Sequence, residues 1–258
     1  MREILQVENL TKTFTLSAKQ RRLEKTKEKT KTAVRNLSFS AYEGEIFGLL
    51  GPNGAGKTTT LRILASLIKA DSGDAYIDSL SVTHSAEKIR SKIGFLTSDL
   101  KLEEFFTPSY LFDFFSDLHS VDSAVRSARK TELFERFGIS RFANEKIENL
   151  STGMKQKASL VISVVHNPDF IIFDEPTNGL DVITAKTVTD YLLELKEEGK
   201  SIIISTHIFS LVEKICDRVG IIIEGELAGS GTMDEITEDS SLEDVFFELY
   251  SQRAGESV

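Results

Sequence analysis

Gly51-Pro52-Asn53-Gly54-Ala55-Gly56-Lys57-Thr58 is the stretch on which the reading of this chain turns. It fits the pattern G-x-x-x-x-G-K-[ST], and its flanks make the match meaningful. The run 46–50 (Ile-Phe-Gly-Leu-Leu) before it is apolar throughout. After it, Leu61, Leu64, Ala65 and Ile68 recur at helical spacing. A strand, a glycine-rich turn and a helix in that order predict a phosphate cradle. Gly51, Gly54 and Gly56 let the backbone curl until its N–H groups share one concavity, and the new helix adds its positive end. Lys57 supplies a point charge for β- and γ-phosphates, and Thr58 a hydroxyl for Mg²⁺. The loop predicts a nucleoside triphosphate and leaves open what its energy is used for.

Working outward, short apolar runs recur at 170–173, 202–204 and 219–223, and the first is followed by Val188, Tyr191, Leu192 and Leu195 at helical spacing. Runs apolar on both sides suit strands of a parallel sheet covered on both faces, and their alternation with helices predicts an α/β fold. Glu224-Gly225 predicts a tight turn into an antiparallel hairpin. From about 98 to 150 the strand signal stops. Thr107-Pro108 predicts a capped helix start. Asp122 predicts a second, with Leu133, Phe134 and Phe137 facing inward and Gly138 ending it. The expectation is a mainly parallel core of residues 1–97 and 151–235, a peripheral antiparallel β region, a helical lobe inserted at 98–150, and a C-terminal helix and tail over 236–258. Ser241-Leu242-Glu243-Asp244 resembles a capping box opening that last helix.

The chain has 258 residues, enough for one large domain with an inserted lobe, and a net charge of −9. An acidic chain is a poor prior for binding nucleic acid. A single cysteine, Cys216, excludes an intrachain disulfide and suits a reducing compartment. The apolar runs fall far short of the roughly 18 residues of a membrane span, and the N-terminus has no apolar signal core. Any membrane function then needs a second chain to do the spanning. Residues 17–32 stand apart, with seven basic and two acidic residues. A solvated, mobile loop is the favoured reading; the sharper one is a contact with anionic lipid headgroups.

Two carboxylates close the apolar run at 170–173. Asp174 is placed to hold Mg²⁺ through its water shell and Glu175 to polarise an attacking water. His207 follows the run at 202–204, at a carboxyl end of the sheet where ligands gather.

Taken together, these residues resemble the nucleotide-binding subunits of ABC transporters, over nearly the whole chain. Leu150-Ser151-Thr152-Gly153-Met154-Lys155-Gln156 is similar to the family's L-S-G-G-Q signature, Asn178-Gly179-Leu180-Asp181 to its D-loop, and Thr206-His207 to its switch histidine. Phe14 matches the aromatic that stacks on adenine. The resemblance implies nucleotide contacts from Phe14 and Val34, from the loop including Asn53, Ala55 and Thr59, and from Ser151, Gly153 and Asp181. It makes Glu175 and His207 catalytic. It implies an ATPase in which two subunits, here two copies of one chain, sandwich two ATP molecules. Each nucleotide would lie on one subunit's phosphate loop under the other's signature and drive a transmembrane permease subunit. The chain would sit at the cytoplasmic side of the cell membrane through that partner. Within the family the signature and Ser241-Leu242-Glu243-Asp244-Val245-Phe246 look most like sodium-extrusion and drug-resistance exporters.

The pattern departs from the family at Thr152, Met154 and Ser98. The first two leave Ser151 and Gly153 in place. Ser98 stands where a glutamine normally reaches metal and water; it joins Thr58 and Asp174 as a metal position but is short for that reach, which Asp99 or a water would take over. Phe105 and Phe106 come next, in the segment where the family meets its membrane partner, and suit a docking surface or lobe core equally. The alternative function is a soluble ABC-type ATPase acting on translation or DNA repair. Those relatives usually carry two cassettes or long coiled-coil insertions, and this chain has neither. A GTPase would need an N-K-x-D motif, and none is found.

Overall fold

The computed structural model describes residues 2–23, 25–97 and 102–254. Its strands are β1 (Glu3–Thr15), β2 (Thr30–Tyr42), β3 (Ile46–Leu50), β4 (Ser72–Ile77), β5 (Leu80–Ser81), β6 (Ile93–Leu96), β7 (Phe170–Asp174), β8 (Ser201–Thr206), β9 (Arg218–Ile223) and β10 (Glu226–Thr232). Its α-helices are α1 (Ala18–Leu23), α2 (Lys57–Leu64), α3 (Ala86–Lys92), α4 (Pro108–Leu118), α5 (Ser123–Arg136), α6 (Thr152–Ser163), α7 (Val182–Glu197), α8 (Phe209–Ile215), α9 (Met233–Ile236) and α10 (Leu242–Ala254).

The strands form a six-stranded sheet in the order β10-β9-β3-β8-β7-β6 and a four-stranded antiparallel sheet in the order β2-β1-β4-β5. In the larger sheet β9, β3, β8, β7 and β6 run parallel and β10 returns antiparallel. Glu224 and Gly225, with φ of 51° and 85°, make the turn between β9 and β10, the left-handed pair a two-residue hairpin needs. β3, β7 and β8 are buried at every residue. Successive side chains alternate between faces, and the two apolar clusters divide accordingly. Ile46, Leu50, Ile171, Phe173, Ile202 and Ile204 pack with α6, α7 and α8 on one side. Phe47, Leu49, Phe170, Ile172 and Ile203 pack with α2 and the antiparallel sheet on the other. The sheet is thus covered on both faces, as its apolar runs require. Because β3, β7 and β8 run in register, Leu50, Asp174 and Thr206 finish at one edge.

Between β6 and α6 lie helices alone among the described residues. Thr107 caps α4 by accepting from Tyr110 N–H, and Asp122 caps α5 by accepting from Ala124 and Val125 N–H. Leu133, Phe134 and Phe137 are buried, and Gly138 leaves α5 with φ +65°. The two readings of the next pair resolve differently. Phe105 is 60% exposed, whereas Phe106 packs beside Leu150 and Ile147 in the lobe's own core. Ser241 caps α10 by accepting from Asp244 N–H, while its hydroxyl donates to the Asp244 carboxylate, so the box is one-sided. Residues 17–32 depart from the expected loop. Ser17 and Gln20 form a reciprocal capping box (2.8 and 3.2 Å) and open α1, which is solvated as expected but helical.

Candidate active site

β3 delivers the chain to Gly51, where packing dictates the residue types of the loop. A Cβ on Gly51 would stand 2.3 Å from the Ile222 carbonyl oxygen, and one on Gly56 (φ +106°) 2.2 Å from that of Ala33. Neither position admits another residue. Ala55 is buried, its N–H donating to the Pro52 carbonyl (3.1 Å). α2 then begins at Lys57, so first-turn N–H groups without helical partners point at the loop. Lys57 is buried and donates from Nζ to the carbonyls of Gly51 (2.7 Å) and Pro52 (3.2 Å), 3.6 Å from Glu175 Oε1. Burial holds its ammonium below the usual lysine range, with Glu175 and Asp174 partly offsetting the shift.

The carboxylates at the end of β7 differ in their surroundings. Asp174 is 1% exposed and accepts from Thr58 Oγ1 (3.0 Å), from Thr97 Oγ1 (3.3 Å) and from the Ser205 hydroxyl. Glu175 takes a left-handed backbone (φ +53°), and its N–H donates to the Ser205 carbonyl (3.0 Å). That conformation costs a non-glycine residue on the order of 1 kcal/mol, and here it accompanies a carboxylate set between Lys57 and His207. His207 Nδ1 lies 3.1 Å from Oε1. Oε2, 3.0 Å from the same nitrogen but outside hydrogen-bonding geometry, is a buried oxygen with no hydrogen-bond partner among the described residues. Such an oxygen costs about 1–3 kcal/mol until a donor reaches it, and a water beside a phosphate would be that donor.

Thr58 and Asp174 present only oxygen to the space between them, which fits a hard divalent cation such as Mg²⁺. Among the described residues no group of three or more His, Cys, Asp or Glu could hold a metal. A cation here would complete its shell with phosphate oxygens and water, as Mg²⁺ commonly does. Ser98, and Asp99 beside it, lie outside the described residues.

A cleft of about 350 Å³ runs over the loop, and Phe14, Lys31, Asn53, Lys57, Thr59 and Glu175 line it. Phe14 is 39% exposed at the cleft's rim. Val34 is not on the wall: it is fully buried in β2, and its neighbour Ala33 takes the lining position. A second cleft of about 870 Å³ shares Glu175 and Asn178 and is walled by Thr152, Lys155 and Gln156. Gln156 Nε2 donates to the Asn178 carbonyl (2.9 Å), tying α6 to the loop after Glu175.

The structure does not bring Ser151 and Gly153 to the phosphate loop of their own chain. Neither lines the cleft over it. Ser151 caps α6, its hydroxyl accepting from Met154 N–H (3.3 Å), and is exposed. A Cβ on Gly153 would meet nothing within 4 Å. Asp181 caps α7, accepting from the N–H groups of Ile183 and Thr184 (both 3.1 Å) and from the Thr184 hydroxyl (2.6 Å). These bonds hold its carboxyl below the usual range. Sequence reasoning missed Ser205 and Thr97, which complete the shell of Asp174, and Lys31 on the cleft wall. It also missed Val182 and Ile183, which are 86% and 80% exposed beside Asp181. A hydroxyl pattern at strand ends would have flagged Ser205; nothing local distinguishes Lys31 from its basic neighbours.

A family model described as ABC transporter matches residues 34–178. An ABC transporter ATP-binding protein of Methanocaldococcus jannaschii is 38% identical over 236 residues, 92% of this chain and 80% of that one. The ABC transporter ATP-binding protein NatA of Bacillus subtilis is 34% identical over 227 residues, 88% of this chain and 92% of NatA. Among solved structures, an ATP-binding subunit of an ABC transporter superposes with a TM-score of 0.83 at 26% identity, covering 95% of this chain and 99% of that one. A dimeric ATP-binding cassette in a post-hydrolysis state with ADP and Pi superposes with a TM-score of 0.78 at 27% identity, covering 89% and 98%. Fold, cleft and kinship agree: this chain belongs to the ABC transporter family, as an ATP-binding subunit that hydrolyses ATP.

Proposed function

We propose that two copies of this chain pair head to tail around two ATP molecules and drive an exporter's membrane subunit. One observation carries the reading. Lys57, Thr58 and Glu175 line one cleft, with Asp174 bonded to Thr58, while Ser151, exposed, and Gly153, half-buried, of the same chain do not line it. The set that grips a triphosphate and the set that would cap one are both present, and Ser151 and Gly153 do not line the cleft over their own loop. The α6 N-terminus offers helix N–H groups, a hydroxyl and a glycine that leaves room for close approach. Facing a second copy's γ-phosphate, it would complete the site.

Within that site each residue has a task. Lys57 and the loop N–H groups bind and orient the phosphates. Mg²⁺, held by Thr58 and Asp174, would offset charge on the phosphate oxygens. Glu175 orients the attacking water and takes its proton at the carboxylate, and His207 holds that carboxylate in position through Nδ1. Phe14 offers a ring face at the cleft's rim for the base. Export is favoured by the similarity to a linearmycin resistance ATP-binding protein of Bacillus subtilis, 34% identical over 206 residues.

No described helix is long and apolar enough to cross a membrane, so the membrane subunit is a separate chain in this reading. An apolar groove of about 510 Å³ between the core and the helical lobe, lined by Leu67, Phe95, Phe106, Tyr110 and Phe114, suits a short helix of that subunit. Sedimentation equilibrium tests the pairing: a dimer with a non-hydrolysable ATP analogue and a monomer with ADP are expected. A monomer under both conditions would remove the reading's basis.

A further inference from the structure

The stretch 17–32 carries seven basic and two acidic residues, a net +5 that leaves −14 on the rest of a chain of net −9. Its reading as a merely solvated charge run fits poorly with how it is built. Ser17 and Gln20 lock the start of α1 reciprocally. Thr26 N–H donates to the Arg21 carbonyl (3.0 Å), and Leu16 N–H to that of Lys29 (2.8 Å), closing the tip over a buried Leu16. The tip is a defined scaffold at the end of the β1–β2 hairpin, and most of its cations are exposed. Lys19, Arg22, Lys25, Lys27 and Lys29 are exposed, and none forms an ion pair among the described residues. Elsewhere cations such as Arg2, Lys12, Lys92, Arg126 and Lys130 have carboxylate partners. Among the cations of the tip sits Leu23, 73% exposed.

We infer that the hairpin tip at 17–29 binds the anionic headgroups of a lipid surface, with Leu23 entering the boundary beneath them. Charge and exposed leucine together select that partner. Exposed lysines and arginines meet lipid phosphates, each contributing about fivefold to partition near the surface. A lone exposed leucine gains from the acyl boundary and gains little from a nucleic-acid backbone. The acidic remainder of the molecule is repelled by the same surface, so the tip would also set which side of the protein approaches. The inference stands apart from the nucleotide site and holds whether or not the pairing reading does.

The test is co-sedimentation of the full chain with phosphatidylcholine vesicles, plain or containing about a third phosphatidylglycerol. Binding to the anionic vesicles alone is expected, weakening as ionic strength rises. Lys25→Gln, Lys27→Gln and Lys29→Gln together should lower the partition on the order of a hundredfold, and Leu23→Ser about tenfold. Both variants should keep the wild-type rate of ATP hydrolysis, since their side chains are exposed and Lys31, which lines the cleft, is left intact. Equal binding to neutral vesicles, or a triple variant that sediments like wild type, overturns the inference. So does retention on single-stranded RNA without binding to anionic vesicles. An unchanged Leu23→Ser partition overturns the leucine's part.

Discussion

The phosphate loop and the N-terminus of α6 are made of the same materials: glycine, a hydroxyl side chain and the positive end of a helix. The loop is furnished from within its own chain. Lys57 is buried against loop carbonyls, Thr58 is bonded to Asp174, and the Ala33 and Ile222 carbonyls leave no room beside Gly56 and Gly51. The end of α6 has no such surroundings. Among the described residues Ser151 is exposed and engages only its own helix, and Gly153 faces open space. A glycine there leaves room for the close approach that the proposed pairing requires. In the proposed pairing the loop is a site and the start of α6 half of one, and each can be broken separately.

The largest effect is expected at the loop's catalytic neighbour. Glu175→Gln keeps the shape and the contact to His207 but cannot take a proton. Hydrolysis should fall ~10²- to 10⁴-fold, while ATP binding persists and an ATP-loaded dimer becomes visible by size-exclusion chromatography. Wild-type turnover in this variant would show that the proton goes elsewhere. Next, Ser151→Asp tests the other half. Aspartate caps a helix as well as serine, so the monomer should keep its thermal midpoint and its ATP affinity. A carboxylate set against a phosphate costs several kcal/mol, so ATP-dependent pairing should vanish. Pairing that survives would place Ser151 away from any nucleotide and dissolve the comparison.

Lys57→Ala removes hydrogen bonds to a charged group, worth about 1.5–3 kcal/mol, and should weaken ATP binding roughly tenfold to a hundredfold by calorimetry. The same residue gives a pH signature. Burial lowers its pKa in the free protein, so it loses its proton at a lower pH than an ordinary lysine, and a bound phosphate draws that proton back. ATP affinity should therefore fall as pH rises toward that depressed value, with proton uptake on binding. Lys57→Arg, which stays charged, should flatten the profile. A wild-type profile as flat as that of the arginine variant would count against Lys57 as the phosphate contact.

The range of the forces decides how much of this is legible in the sequence. β3, β7 and β8 announce themselves because both faces are buried and nearly every residue has to be apolar. Thr107, Asp122 and Gly138 are legible because caps are local chemistry. β1 and β2 are not. Each is 13 residues long, polar on one side and broken by register shifts that blur the alternation. In the site, Lys57, Asp174 and Glu175 are readable from motif and strand end. Ser205 reaches Asp174 from a neighbouring strand, a contact that only sheet order creates. Resemblance alone gives Val34 a nucleotide contact, and the pleat that turns it into the core puts Ala33 on the wall instead. Resemblance also gives Asp181 a nucleotide role, yet its bonds run to its own helix, where a cap would be needed with or without ATP.

That last ambiguity also attaches to Ser151, and the smallest effect resolves it. Ser151 accepts from Met154 N–H at 3.3 Å, a long bond for a cap. Ser151→Ala removes the cap and adds no charge. If capping were its whole use, the variant should lose about 1 kcal/mol of stability, roughly 2–4 °C in thermal midpoint, and pair with ATP as before. If the hydroxyl also meets a second copy's phosphate, pairing should weaken beyond what the stability loss explains. Ser151→Thr, a weaker cap that keeps the hydroxyl, should restore part of the pairing. Measuring midpoint and dimer dissociation constant across alanine, threonine and aspartate separates the two roles, because capping ranks aspartate with serine and phosphate contact ranks it last.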